Sequence, residues 1–158
     1  TPKSLLRNPA VASRLDEFTQ ANWQPVIPDR GVAADGVRRV VLCSGKVYYD
    51  LFEEREKREI QNVYILRAEQ LYPFPSGPLK TELARFPGAE VVWCQEEPKN
   101  MGSWTTVLPE IEAVMGEMGL KQQRLRYVGR PAAASPATGL LRRHLKEQAA
   151  LVEEALVV

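Results

Sequence analysis

The sequence predicts an α/β layer sandwich, a mainly parallel sheet with helices on both faces. Three observations carry this. Short apolar runs recur along the chain as RVVLC, VYILR, EVVWC and RLRYV. Stretches with apolar residues at helical spacing separate them. The first three runs are near-continuously apolar rather than alternating, as strands covered on both faces must be. At 158 residues the chain is of single-domain size, long enough to bury a core without disulfides or metals.

Each element follows from local chemistry. Asn8-Pro9 opens a helix expected through Phe18, because Asn accepts free first-turn amides and Pro at the next position loses no intrahelical bond. Residues 20–37 hold prolines and glycines without helical periodicity. Within them, 23–27 is a short strand candidate that Pro25 confines to a sheet edge. Strand 39–43 leads into a helix over 46–60, with Val47, Tyr48, Leu51 and Phe52 on one face. Its pairs Glu53/Lys57 and Glu54/Arg58 mark a solvated charged face. Then come strand 63–67, helix 78–86, strand 90–94, helix 106–118 and strand 124–128. The alanine-rich 132–137 reads as a tight surface connection. The terminal helix, 139–158, has Leu141, Leu145, Gln148, Val152 and Leu156 on one stripe.

Composition excludes several function classes. The chain is 44% hydrophobic and 26% charged, with 21 Lys and Arg against 20 Asp and Glu, so it is neither disordered nor collagenous. A net charge of +1 gives no basic field for nucleic acid. No apolar run approaches the ~18 residues that span a bilayer, so no membrane partner is expected. Cys43 and Cys94 each sit in an apolar run outside any CxxC pair and read as buried reduced thiols. Thr1-Pro2-Lys3-Ser4 opens with neither a Met nor a leader, which reads as a piece of a longer polypeptide.

Candidate chemistry gathers where strands end. Ser44-Gly45-Lys46 follows a strand and opens a helix, the place where open α/β sheets bind anions, but GxGxxG and the full P-loop are absent; a tight turn requiring glycine is the competing reading. Glu96 and Glu97 follow another strand, where an interface role competes with acid–base work. His144 is the single histidine, with no metal-ligand cluster around it; it reads as a packed or interface residue. No serine lies in a GxSxG elbow. Ser103 reads as a helix cap with Trp104 as anchor, and Ser135 or Thr138 as the cap of the last helix. Arg130 is placed to pair with Glu96 or Glu97 if their strands are neighbours.

Four strings become specific together: VVLCSGKVYYDL (40–51), RAEQLYPFP (67–75), VWCQEEPKNMGSW (92–104) and YVGRPAAASPATG (127–139). In this order they resemble the carboxyl-terminal part of the thiamine-diphosphate-dependent decarboxylating component of 2-oxoglutarate dehydrogenase. TPKSLLRNP also resembles the passage from that family's pyrimidine-binding domain into its last domain. The resemblance implies a transketolase C-terminal-like fold: a mostly parallel five-stranded sheet with one antiparallel edge strand, helices on both faces. It implies connecting structure over 1–37, joined to upstream domains, and the α/β domain over 38–158. The family decarboxylates 2-oxoglutarate on thiamine diphosphate and Mg²⁺, held by the upstream domains of a homodimer, and succinylates the lipoyl arm of the dihydrolipoyl succinyltransferase component in the tricarboxylic acid cycle. Its place is the bacterial cytoplasm or the mitochondrial matrix.

These residues carry no GDG…N diphosphate signature, so the resemblance assigns the segment no catalytic, cofactor or metal residue and a structural, dimer-closing role, inactive by itself. Glu96, Glu97, Arg130 and His144 then act as interface or loop-fixing groups. The alternatives are the same domain of a 2-oxoadipate dehydrogenase, or a nucleotide- or acyl-CoA-sensing module. For the latter the effector candidates are Ser44, Lys46 and Gln70. Members that bind acetyl-CoA have basic residues just after the string matching Gln70–Pro75; here that place reads Ser76-Gly77-Pro78.

Overall fold

In the computed structural model, which describes residues 2–158, five strands and five α-helices follow in order. They are α1 (Leu15–Thr19), β1 (Val26–Ile27), β2 (Arg39–Cys43), α2 (Val47–Lys57), β3 (Val63–Ala68), α3 (Ser76–Leu83), β4 (Glu90–Gln95), α4 (Trp104–Glu117), β5 (Arg126–Gly129) and α5 (Leu141–Leu156). The sheet order is β1-β3-β2-β4-β5. Only β1 is antiparallel, with Val26 opposite Ala68; β2 pairs in parallel with both β3 and β4, and β4 with β5. Thr1 lies outside the described residues.

The apolar runs are central strands because alternate side chains enter two separate cores. Val40, Leu42, Tyr64, Leu66, Val91 and Trp93 meet α3 and α4 on one face. Val41, Cys43, Ile65, Val92 and Cys94 meet α2 and α5 on the other. Both thiols are buried and free, opposite one another in register. Burial raises Cys43 well above the ordinary thiol range and Cys94 to about 12. Each fully buried Val, Leu or Ile contributes about 1.5–3 kcal/mol to the cores.

The amino-terminal segment departs from expectation. Asn8 does cap, its Oδ1 accepting from the Ala10 amide at 2.9 Å. Instead of one helix to Phe18, however, 3₁₀ turns at Lys3–Leu5 and Pro9–Val11 precede the short α1, and none of the three holds a buried residue. Local caps do not offset helix nucleation without a face to bury. The edge strand is present but shortened to Val26–Ile27.

Two further corrections concern helix starts. Ser103 makes no capping bond; Gln95 Oε1, at the end of β4, accepts the Trp104 amide at 3.0 Å. Neither Ser135 nor Thr138 caps α5, whose N-cap position is Leu140 with no side-chain capping bond; the two hydroxyls donate instead to the carbonyls of Ala137 and Leu140. Trp104 is a buried anchor as expected.

On α2 the charged face is not wholly solvated. Glu54 pairs with Arg58 at 2.6 Å, but Lys57 pairs with Glu54 rather than Glu53. Arg55 is completely buried against an equally buried Asp29. The Asp29 carboxylate also accepts the Ile65 amide at 2.8 Å and the Gly31 amide at 2.9 Å. Since β1 stops at Ile27, Asp29 takes over as acceptor for the outer edge of β3. A Cβ on Gly31 would lie 2.6 Å from Arg55 Nη2, so glycine lets the backbone pass the guanidinium.

Candidate functional site

The strand order reverses between β2 and β4. The loops beyond their carboxyl ends border the crevice where such sheets bind ligands. Here that crevice is filled by the protein's own charges. After β2 the chain turns at Gly45, with φ of +75°, a left-handed conformation suited to glycine. The turn delivers Lys46 to the start of α2, where Nζ lies 2.5 Å from Asp50 and 3.0 Å from Glu96. Gln148 on α5 closes the ring, Nε2 donating to Asp50 at 2.7 Å and to Glu96 at 3.1 Å. Burial alone would lower the Lys46 pKa, but the bonds to Asp50 and Glu96 outweigh it and raise it.

A second cluster lies beyond β5. Arg130 is buried; Nε lies 3.4 Å from Glu147 Oε2 and Nη2 is 2.7 Å from His144 Nδ1. With an arginine donating, that ring nitrogen is the acceptor, which assigns His144 the neutral Nε2–H tautomer. Arg143 shares Glu147 at 2.7 Å. Arg130 therefore turns to α5 and not to Glu96 or Glu97.

Other groups tie the β4 and β5 loops together. Asn100 exchanges two 3.0 Å bonds with the backbone of Ala133, and the Lys99 amide donates to the Arg130 carbonyl at 3.1 Å. The Tyr127 hydroxyl lies 2.8 Å from the Arg130 carbonyl and 3.1 Å from that of Glu97. Burial pushes that phenol up to about 12. Gln95 organises the β4 loop: Oε1 accepts from the Trp93 indole and the Trp104 amide, while Nε2 donates to the Met101 carbonyl at 2.7 Å. Beside the arginine cluster a cleft of about 410 Å³ runs between Pro98, Arg130, Ala133–Gly139, Arg143 and Glu147.

The expected residues thus divide. Lys46 meets Glu96, and Arg130 meets His144. Glu97 is exposed, without an ion pair among the described residues. Ser44 flanks the turn. Gln70 holds its own loop, donating to the Pro73 carbonyl at 2.7 Å and accepting from Trp23, on the β1 side and away from the partners of Lys46. An anion at Lys46 would have to displace two carboxylates. Sequence reasoning missed Asp50, Gln95, Glu147 and Gln148. The four-residue spacings Lys46/Asp50 and Arg143/Glu147 were the available signals.

Acid–base work by these groups is poorly served, because each carboxylate in the crevice already holds a cation or an amide. Thiamine diphosphate needs a free carboxylate at its aminopyrimidine and a metal-bound diphosphate. No group of three or more His, Cys, Asp or Glu among the described residues is arranged to hold a metal. No helix among the described residues is long and apolar enough to cross a membrane.

Residues 12–156 match the family model described as 2-oxoglutarate dehydrogenase C-terminal. The chain is 55% identical to the 2-oxoglutarate dehydrogenase E1 components of Brucella anthropi and Brucella abortus, over 99% of its own length and 17% of theirs. That of Brucella ovis matches to the same degree. The chain spans about a sixth of the length of these curated relatives, matched across nearly all of its own sheet and helices. By that match and these identities, the chain belongs to the 2-oxoglutarate dehydrogenase C-terminal family.

Proposed function

We propose that this chain is the non-catalytic carboxyl-terminal domain of a 2-oxoglutarate dehydrogenase E1 component. In this reading the whole polypeptide decarboxylates 2-oxoglutarate with thiamine diphosphate and Mg²⁺ held by its upstream domains, in a homodimer. It passes the succinyl group to the lipoyl arm of the dihydrolipoyl succinyltransferase component, in the tricarboxylic acid cycle and, in a bacterium, in the cytoplasm. The domain packs against the upstream part and helps close the dimer. Glu96, Arg130 and His144 act by holding loops to α5.

The observation that supports this reading is the self-neutralised crevice, in which Lys46, Asp50, Glu96 and Gln148 fill the place a ligand would occupy. The test supplies 2-oxoglutarate, thiamine diphosphate, Mg²⁺ and ferricyanide to the full polypeptide and, separately, to these 158 residues. Turnover is expected from the full polypeptide alone. Turnover by the short chain overturns the non-catalytic role. Full-polypeptide turnover preferring 2-oxoadipate would overturn the substrate assignment.

A further inference from the structure

We infer that the amino-terminal half of α5 is a docking ridge, with Leu140, Leu141 and Leu145 seated on an acidic-rimmed apolar surface of the same polypeptide upstream of this domain. The inference rests on the reading above and specifies the surface through which the domain joins the rest.

The geometry begins with a mismatch of lengths. The 16 residues of α5 extend about 24 Å at 1.5 Å per residue, whereas the five residues of β2 extend about 17 Å. The carboxyl end of α5 is pinned at the amino edge of the sheet, where buried Arg39 donates to the carbonyls of Glu154 at 3.0 Å and Ala155 at 3.1 Å. The surplus length therefore projects beyond the carboxyl edge. The apolar stripe continues onto this overhang. Val152 and Leu156 are buried, but on the same face Leu145 is 58% exposed and Leu141 72%, with adjoining Leu140 at 68%. A contiguous apolar ridge of this kind marks a contact surface.

Charge selects the occupant. Arg142 and Lys146 lie along the ridge, exposed and without an ion pair among the described residues, while Glu53 and Glu54 of α2 line a cleft with Leu145. A second copy docked antiparallel by two-fold symmetry about this stretch would set Arg142 against Lys146 of its mate, a like-charge contact. A surface with carboxylates at its rim fits instead. The relatives supply the chain to provide it, since the match occupies only 17% of their length.

The test uses the full polypeptide, mixed from ¹⁴N- and ¹⁵N-labelled preparations and treated with a carbodiimide that joins Lys to Asp or Glu without a spacer. Lys146 is expected to couple to an upstream carboxylate within one polypeptide. In Leu145→Glu that coupling is lost, and the Leu141, Arg142 and Arg143 amides, which lack intrahelical acceptors, exchange at least about tenfold faster. The β2 and β4 amides keep their rates, showing an intact domain. Unchanged exchange at 141–143, an uncoupled Lys146, or Lys146 coupling products that join differently labelled chains overturn the ridge. Turnover of 2-oxoglutarate, measured on the same wild-type preparation, tests the enzymatic reading separately.

Discussion

Replacing Arg55 with Met leaves the Asp29 carboxylate buried without its countercharge. Both side chains are completely inaccessible to solvent. Arg55 Nη1 and Nη2 grip the two oxygens of Asp29, and Nη1 also reaches the Val63 carbonyl at 3.3 Å. Breaking one side of such a pair costs about 3–5 kcal/mol, because the remaining charge keeps its desolvation penalty. For a domain of this size that lowers Tm by roughly 6–20 °C. Combining it with Asp29→Asn removes the stranded charge and keeps an amide oxygen for the Ile65 N–H, so the double variant should recover about 1–3 kcal/mol of the loss. Urea unfolding followed by the fluorescence of buried Trp93 and Trp104 measures all three proteins. A cost below about 1 kcal/mol for Arg55→Met, or strictly additive single effects, refutes the coupled buried pair.

Gln95→Leu strands the Trp93 indole N–H and the Trp104 amide and should cost about 2–4 kcal/mol, read by urea unfolding with a red shift in tryptophan emission. Burial would raise Glu90, but bonds from Arg39 at 2.8 Å and Arg126 at 3.2 Å outweigh it and hold its carboxyl below the ordinary value of 4.5. The depressed pKa means a contribution fully present above pH 4.5 and lost as pH falls through the folded value. Glu90→Gln should therefore flatten the acid limb of Tm against pH and leave its shape at neutral pH unchanged. Cys43 and Cys94 should resist an aromatic disulfide reagent in the folded chain and both react in urea, since burial holds the thiols protonated. Glu96→Gln in the full polypeptide should lower thermal stability through the loss of Lys46 while kcat for 2-oxoglutarate stays unchanged; a fall in kcat with unaltered stability would count against a loop-fixing role.

The central strands were legible because burial on both faces writes itself into sequence as short apolar runs, and β2 occupies the expected 39–43. Helix ends were legible only where a local signal acts alone. Asn8 capped as its chemistry requires, yet the helix behind it stopped after one turn because nothing packs on it. The crevice was half legible. Lys46 and Glu96 were singled out separately, but their meeting depends on β2 and β4 being neighbours, and Gln148 arrives from an element 52 residues beyond Glu96.

By itself, the amino-acid order determined the α/β class, the positions of the central strands, the edge place of the 23–27 segment, and the family, through four strings too long to coincide by chance. These rest on covalent neighbours and on whether a side chain prefers water. Only the tertiary structure decided that Arg55 leaves a charged helix face to meet Asp29, that Gln95 rather than Ser103 caps α4, and that the stripe on α5 is buried at one end and open at the other. Such outcomes depend on which distant groups share a dry interior, where the energy of a charge or an amide is set by the partner beside it.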